Sequence, residues 1–106
     1  MANVPWCMIG DFNAISTTSE KRGGRPPNYA STIEFNNVMS TAGLIDIGFQ
    51  GPRFTWSNNR LGLARISARL DRAFVNHVWL SKYNTSSLFH LPYVGSDHKP
   101  ILLSTS

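Results

Sequence analysis

The first sustained apolar run in the chain, Val4-Pro5-Trp6-Cys7-Met8-Ile9, stops at Gly10. A run of that length ending at a glycine reads as a buried strand rather than a helix. Further on, Ser31-Thr32-Ile33-Glu34 has the form of a capping box, in which a serine and a glutamate three residues later satisfy each other's backbone donors. Phe35, Val38, Met39 and Ala42 then recur at helical spacing on one face. Gly43 is placed to stop this helix, with Leu44 folding back onto it. Leu44-Ile45-Asp46-Ile47 is a short link. Arg53-Phe54-Thr55-Trp56-Ser57 alternates as a half-buried strand does, and Asn58–Gly62 is a turn. A second strand is expected from Ile66 to Val75, making a hairpin with the first. Asn76 can cap a short helix carrying Val78, Trp79 and Leu80. Leu88–Leu91 and Ile101–Leu103 read as closing strands.

Between the first strand and the helix lies a polar loop, Ser16–Pro27, with the run Glu20-Lys21-Arg22-Gly23-Gly24-Arg25-Pro26-Pro27. Its glycines and prolines argue against helix or central strand. It reads as a solvated loop, with a basic segment reaching toward a polyanion as the alternative. No linker divides the 106 residues, so one domain is expected.

Composition narrows the class. The chain is 42% hydrophobic and 15% charged, the profile of a folded α/β domain rather than a disordered tail. The net charge is +4, and seven of the ten basic residues are arginine, a lean toward an anionic partner. Cys7 is the single cysteine, which excludes an internal disulfide and reads as a small buried apolar residue in a reducing compartment. Met1-Ala2-Asn3-Val4-Pro5 lacks the regions of a signal peptide, and no run approaches transmembrane length. The expected location is intracellular, nucleus or cytoplasm, with no membrane partner.

The candidate chemistry sits at element boundaries. Asp11 and Asn13 follow the first strand, at the kind of strand end where ligands of open α/β sheets bind. Both offer oxygen, the hard ligand that magnesium and phosphate chemistry use. Asp71 interrupts an otherwise apolar strand, so if buried it must be paired. Arg69 and Arg72 are its local partners; His98, beside Asp97, is the distant one. A carboxylate next to a histidine orients the ring and favours its protonated form. Between Asp46 and Asp71 stand Arg53, Arg60, Arg65 and Arg69 and no acid, either a solvated hairpin or a phosphate-contacting surface. His77, His90, His98 and Cys7 lack the paired short spacings of a zinc site.

In order along the chain, Gly10-Asp11-Phe12-Asn13, Phe54-Thr55-Trp56, Arg69-Leu70-Asp71-Arg72 and Ser96-Asp97-His98-Lys99-Pro100 resemble the C-terminal half of the endonuclease/exonuclease/phosphatase superfamily. That superfamily includes deoxyribonuclease I and the apurinic/apyrimidinic endonucleases. Pro5-Trp6-Cys7, Glu20-Lys21-Arg22-Gly23-Gly24, Gly43-Leu44-Ile45-Asp46 and Gly48-Phe49 are similar to the endonuclease domain of plant LINE-type retrotransposons. The resemblance spans Pro5 to Leu103. Each motif alone is common; four in this order are specific.

The resemblance implies metal-dependent cleavage of phosphate esters, with Mg2+ or Mn2+ as cofactor and nucleic acid, DNA ahead of RNA, as partner. By the same resemblance Asp11 orients or deprotonates the attacking water, and Asn13 holds the phosphate or a metal-bound oxygen. Asp97, with Asp11, belongs to the metal site. His98 donates to a phosphate oxygen, with Asp71 fixing its ring. Trp56 packs near the site; independently of the resemblance, the acid-free charge pattern makes Arg53, Arg60 and Arg65 candidates to contact nucleic acid. The implied fold is α/β (α+β), the C-terminal half of a four-layer α/β sandwich: a mixed or antiparallel sheet with helices on one face. A full domain is about twice this length, and its N-terminal half supplies an Asn and a Glu to the metal site. The chain alone is therefore expected to be weak or inactive, or a catalytically silent nucleic-acid-binding or interaction fragment. An uncovered apolar sheet face, on strands holding Phe54, Trp56, Leu70 and Phe74, is expected to promote self-association.

Overall fold

The computed structural model describes residues 4–106; the signal-peptide reading of Met1–Asn3 lies outside them. The described residues form a mixed α+β globule of two α-helices and eight strands in three antiparallel sheets.

The apolar run becomes β1, Cys7–Asp11, beginning three residues later than its hydrophobicity suggests. The loop after it is more ordered than its glycines and prolines indicate. It holds a 3-10 turn at Thr18–Glu20 and the edge strand β2, Lys21–Arg22. The first helix, α1, spans Tyr29–Thr41. Its cap is Asn28, whose side chain accepts from the Ala30 and Ser31 backbone N–H groups, and not the expected Ser31/Glu34 box. Pro26 and Pro27 end the preceding loop, and Asn28 is the first residue after them able to cap. Phe35 and Met39 turn inward, whereas Val38 is 57% exposed, so the inward stripe is narrower than the spacing predicts. The helix ends as expected: Leu44 N–H donates to Met39 O and Gly43 N–H to Ser40 O, with Gly43 at φ +73°. The reversal buries Leu44 and leads into β3, Ile45–Asp46.

The expected hairpin is present but short, with β4 at Trp56–Ser57 and β5 at Ser67–Ala68. The second long strand divides. After β5 the chain turns at Arg69-Leu70 and enters a different sheet as β6, Asp71–Val75. Thr55 holds the break. It is fully buried, and its hydroxyl oxygen accepts from both the Leu70 and Asp71 N–H groups (3.0 and 3.1 Å). Asn76 then caps α2, His77–Lys82, and the chain closes as the hairpin of β7, Ser87–His90, and β8, Ile101–Ser104.

One sheet has the order β1-β6-β3, a second β2-β5-β4, and the third is β7-β8. Every residue of β6 is buried. Alternation sends Arg72 and Phe74 to one face and Asp71, Ala73 and Val75 to the other. The first face lies under α1, where Phe74 meets Phe12 and Phe35 edge-on and Phe12 and Phe35 are tilted to each other, with ring centroids 5.1–6.0 Å apart. β8 comes up against β6, where Leu88 and His90 of its partner strand are also buried.

Arg72 has no exposed surface. Together with Arg69 it binds Glu20 and Asp46 in a four-member ionic cluster, with contacts of 2.8–3.1 Å. These arginines therefore serve Glu20 and Asp46 rather than Asp71. Burial alone would raise the pKa of each acid, but the arginine and backbone hydrogen bonds bring both below the ordinary range. The four residues tie the Thr18–Arg22 segment and β3 to the β5–β6 junction. Cys7 is half-buried rather than buried, and burial raises its thiol pKa.

The apolar exposure falls elsewhere than expected. Phe74 is buried, and Phe54, Trp56 and Leu70 are half-buried. The exposed large apolar residues include Ile9, Ile45, Leu61, Leu63 and Leu102. Among the described residues no helix is long and apolar enough to cross a membrane.

Candidate active site

β1 and β6 run antiparallel with Asp11 directly opposite Asp71. Residues paired in this way share a sheet face, so two carboxylates meet at one rim. Asp11 ends its strand in an Asx turn: its Oδ1 accepts from the Asn13 N–H (2.7 Å), and Asn13 takes φ +49°, a conformation asparagine tolerates. Asp71 is held from behind by Thr55.

His98 arrives from the far end of the chain. The segment before β8 is zipped against β4. Trp56 bridges to His98, Ser57 N–H donates to Asp97 O, and Lys99 N–H donates to Thr55 O. Lys99 Nζ also donates to Phe54 O (2.7 Å). The register sets His98 Nδ1 2.8 Å from Asp71 Oδ2 and Nε2 3.7 Å from Asp11 Oδ2. Burial alone would lower the His98 pKa. The hydrogen bond and charge of Asp71, with Asp11 and Asp97 adding, raise it above that of a free histidine. One ligand atom from each of Asp11, Asp71 and His98 falls within 4.8 Å of the others.

This rim borders a groove of about 430 Å³ lined by Asn13, Ile15, Lys21, Trp56, Leu70 and His98, among others. Lys21 and Trp56 face it from the β2-β5-β4 sheet, both paired with Ala68.

The structure thus brings together Asp11, Asn13, Asp71 and His98. Asp97 stands apart from the three-residue cluster, its Oδ2 accepting from the Trp56 indole N–H (3.3 Å). Trp56 accordingly does more than pack. Arg53, Arg60 and Arg65 are exposed and lie on or beside the β2-β5-β4 sheet, and no carboxylate pairs with them among the described residues. Arg53 donates to Ser19 O. Arg69, counted with them in the sequence, is consumed by Glu20 and Asp46. His90 is buried, its Nδ1 2.7 Å from Pro52 O and its ring stacked on Phe49 at 4.3 Å.

Sequence reasoning passed over Thr55 and Glu20. Thr55 lies inside the Phe54-Thr55-Trp56 motif, but only an expected break between β5 and β6 would mark its hydroxyl. Glu20 looked like a loop residue because its partners lie far along the chain.

No family model, curated protein or solved structure matches the chain.

Proposed function

We propose that this rim is the reaction centre of a metal-dependent phosphodiester hydrolase of the endonuclease/exonuclease/phosphatase kind, acting on DNA in the nucleus or cytoplasm. One arrangement carries the reading. A histidine is held through Nδ1 by a buried carboxylate, and its Nε2 turns toward a second, exposed carboxylate beside a groove. Phosphoryl transfer needs positioning and positive charge near the phosphate oxygens more than covalent chemistry.

Asp11 Oδ2 has no backbone donor, unlike Oδ1, and is free to orient a water and take its proton. The water oxygen bonds to phosphorus as the bond to the leaving ester oxygen breaks. His98, whose protonated form Asp71 favours, donates from Nε2 to a phosphate oxygen as negative charge builds there. Asn13 lines the groove and offers its amide to the same phosphate.

The donor set fits a sparse magnesium or manganese site. Magnesium is commonly held by one or two carboxylates together with substrate phosphate, and keeps several waters. Asp11, with Asp71 beside it, meets that requirement, whereas Asp97 is engaged by Trp56. A bound ion supplies positive charge to the phosphate.

A second reading, a nucleic-acid binder without turnover, is favoured by the charge distribution. Glu20 and Asp46 are neutralised internally, leaving Arg53, Arg60 and Arg65 without carboxylate partners among the described residues. Plasmid nicking in magnesium separates the two. Slow nicking that disappears in Asp11→Ala and in His98→Ala is expected of the hydrolase. Nicking equal to that of His98→Ala, or none at all, overturns it, and salt-dependent DNA binding alone then supports the binder.

A further inference from the structure

The run Glu20-Lys21-Arg22-Gly23-Gly24 has only its glutamate and lysine accounted for by the cluster and the reaction groove. Its other residues build a second cavity. Along β2, Lys21 points to the face of the sheet shared with Trp56 and Ala68, so Arg22 points to the opposite face, shared with Ser57 and Ser67. On that side lies a groove of about 440 Å³ lined by Arg22, Phe54, Leu63, Arg65 and Ser67, with Gly23 and Gly62 at its edges.

The two glycines set its shape. Gly23 adopts φ +82°, and a Cβ there would stand 2.2 Å from the Arg65 carbonyl oxygen. Gly24 adopts φ +71°, and a Cβ there would meet the Ile66 side chain at 2.9 Å. The absence of side chains lets the 22–25 loop press onto the 65–66 backbone. That contact fixes the spacing of Arg22 and Arg65 across the groove. Lys21 Nζ braces the same loop by donating to Arg25 O (2.8 Å).

The groove is cationic without internal compensation. Among the described residues no carboxylate pairs with Arg22, Arg53 or Arg65. The Arg22 and Arg53 guanidinium groups lie 5.4 and 4.9 Å from the centre of the Phe54 ring. The ring helps hold the two like charges together, and it is no longer free for base stacking. Arg53 is further fixed by its bond to Ser19 O. Preorganised guanidinium groups without acids, and with the aromatic face already occupied, suit phosphates rather than bases.

The geometry points to a second, phosphate-binding groove for the nucleic-acid backbone, formed by Arg22 and Arg65 on the face of the β2-β5-β4 sheet opposite the reaction centre, with Arg53 outside its lining and held over the Phe54 ring. The identity of the polyanion rests on the reading of that centre as acting on nucleic acid. Bound strand flanking the reacting phosphate passes over the β2 edge, past Lys21 and Arg25, into this groove. Contacts of this kind position the strand and carry no sequence information.

The test measures binding without turnover. A fluorescently labelled DNA 20-mer is titrated without divalent ions, by anisotropy, across a series of salt concentrations. Each lost phosphate contact lowers the slope of log affinity against log salt by about one. Arg22→Ala/Arg65→Ala is expected to reduce the slope by about two relative to wild type, equally for DNAs of different sequence, and Arg22→Lys/Arg65→Lys to retain it. An unchanged slope in the alanine variant, a loss confined to one DNA sequence, or no salt-dependent binding by the wild-type chain overturns the proposal. Failed nicking with a reduced slope rejects the hydrolase and leaves the groove standing. Nicking with an unchanged slope does the reverse.

Discussion

Asp11 and Asp71 are cross-strand partners, two carboxylates directly opposite one another in the β1–β6 ladder. Like charges in that position repel. His98 relieves the repulsion by placing Nδ1 2.8 Å from Asp71 and Nε2 3.7 Å from Asp11. The same geometry that a phosphate-directed histidine needs is therefore also a structural brace.

His98→Ala is expected to destabilise the fold by about 2 kcal/mol at pH 6, the scale of a lost hydrogen bond to a charged group. The folded pKa of His98 is raised, so its contribution is complete below the unfolded value of about 6.5 and is lost as pH rises through the folded value. Urea melts of both proteins from pH 5 to 9 should show the gap narrowing on the alkaline side. A gap constant with pH would remove the charge from the explanation.

The two buried-side histidines should titrate apart. His98 should titrate above a free histidine, and Asp71→Asn should lower it. His90 should titrate below: burial lowers it first, and the charges of Arg69 and Lys99 add to this against the Pro52 hydrogen bond. Its contribution has the opposite sign, present above about pH 6.5 and lost as pH falls through its folded value. Ring-proton NMR reads both. Identical curves for His98 in wild type and Asp71→Asn would refute the pairing.

Glu20→Gln should cost about 3 kcal/mol, because it leaves buried Arg72 and Arg69 short of a counter-charge. Glu20 and Asp46 both have lowered pKa values, so their stabilisation is full above about pH 4.3 and 3.9 and is lost as pH falls through the folded values. Acid unfolding should begin below about pH 4 in the wild type, and Glu20→Gln should show a weaker acid dependence. A variant as stable as wild type in denaturant titration at pH 7 would contradict the cluster's role.

Magnesium should bind weakly, since few protein oxygens are offered. Amide chemical shifts at Gly10–Asn13 should move on titration and should stop moving in Asp11→Asn. The Trp56 indole proton, bonded to Asp97, should stay in place. Movement at Trp56 and Asp97 with none at Asp11 would transfer the ion to the other carboxylate.

Gly23→Ala should destabilise by about 2 kcal/mol, from positive-φ strain together with the close approach to Arg65 O. Thermal melts of this variant beside Gly43→Ala, where φ is +73° and nothing lies within 4 Å, isolate the contact from the backbone strain.

Much of this molecule follows from short stretches of sequence. The strand ending at Asp11, the reversal at Gly43-Leu44 and the Asn76 cap each depend on residues a few positions apart, whose propensities and hydrogen bonds close locally. The motifs at Asp11, Asp71 and His98 were legible as chemistry for the same reason. Their convergence was not, because contacts 27 to 87 positions apart are selected by strand register, which a single sequence leaves open. Register also chose between Arg72 and His98 as the partner of Asp71. Adjacent β6 residues point to opposite faces, so Arg72 meets Glu20 and Asp46 while Asp71 meets His98. The division of the Ile66–Val75 run into β5 and β6 was hidden likewise. No glycine or proline marks a break between Ile66 and Val75, and only the hydroxyl of Thr55, fifteen residues before Leu70, receives the turned backbone N–H groups.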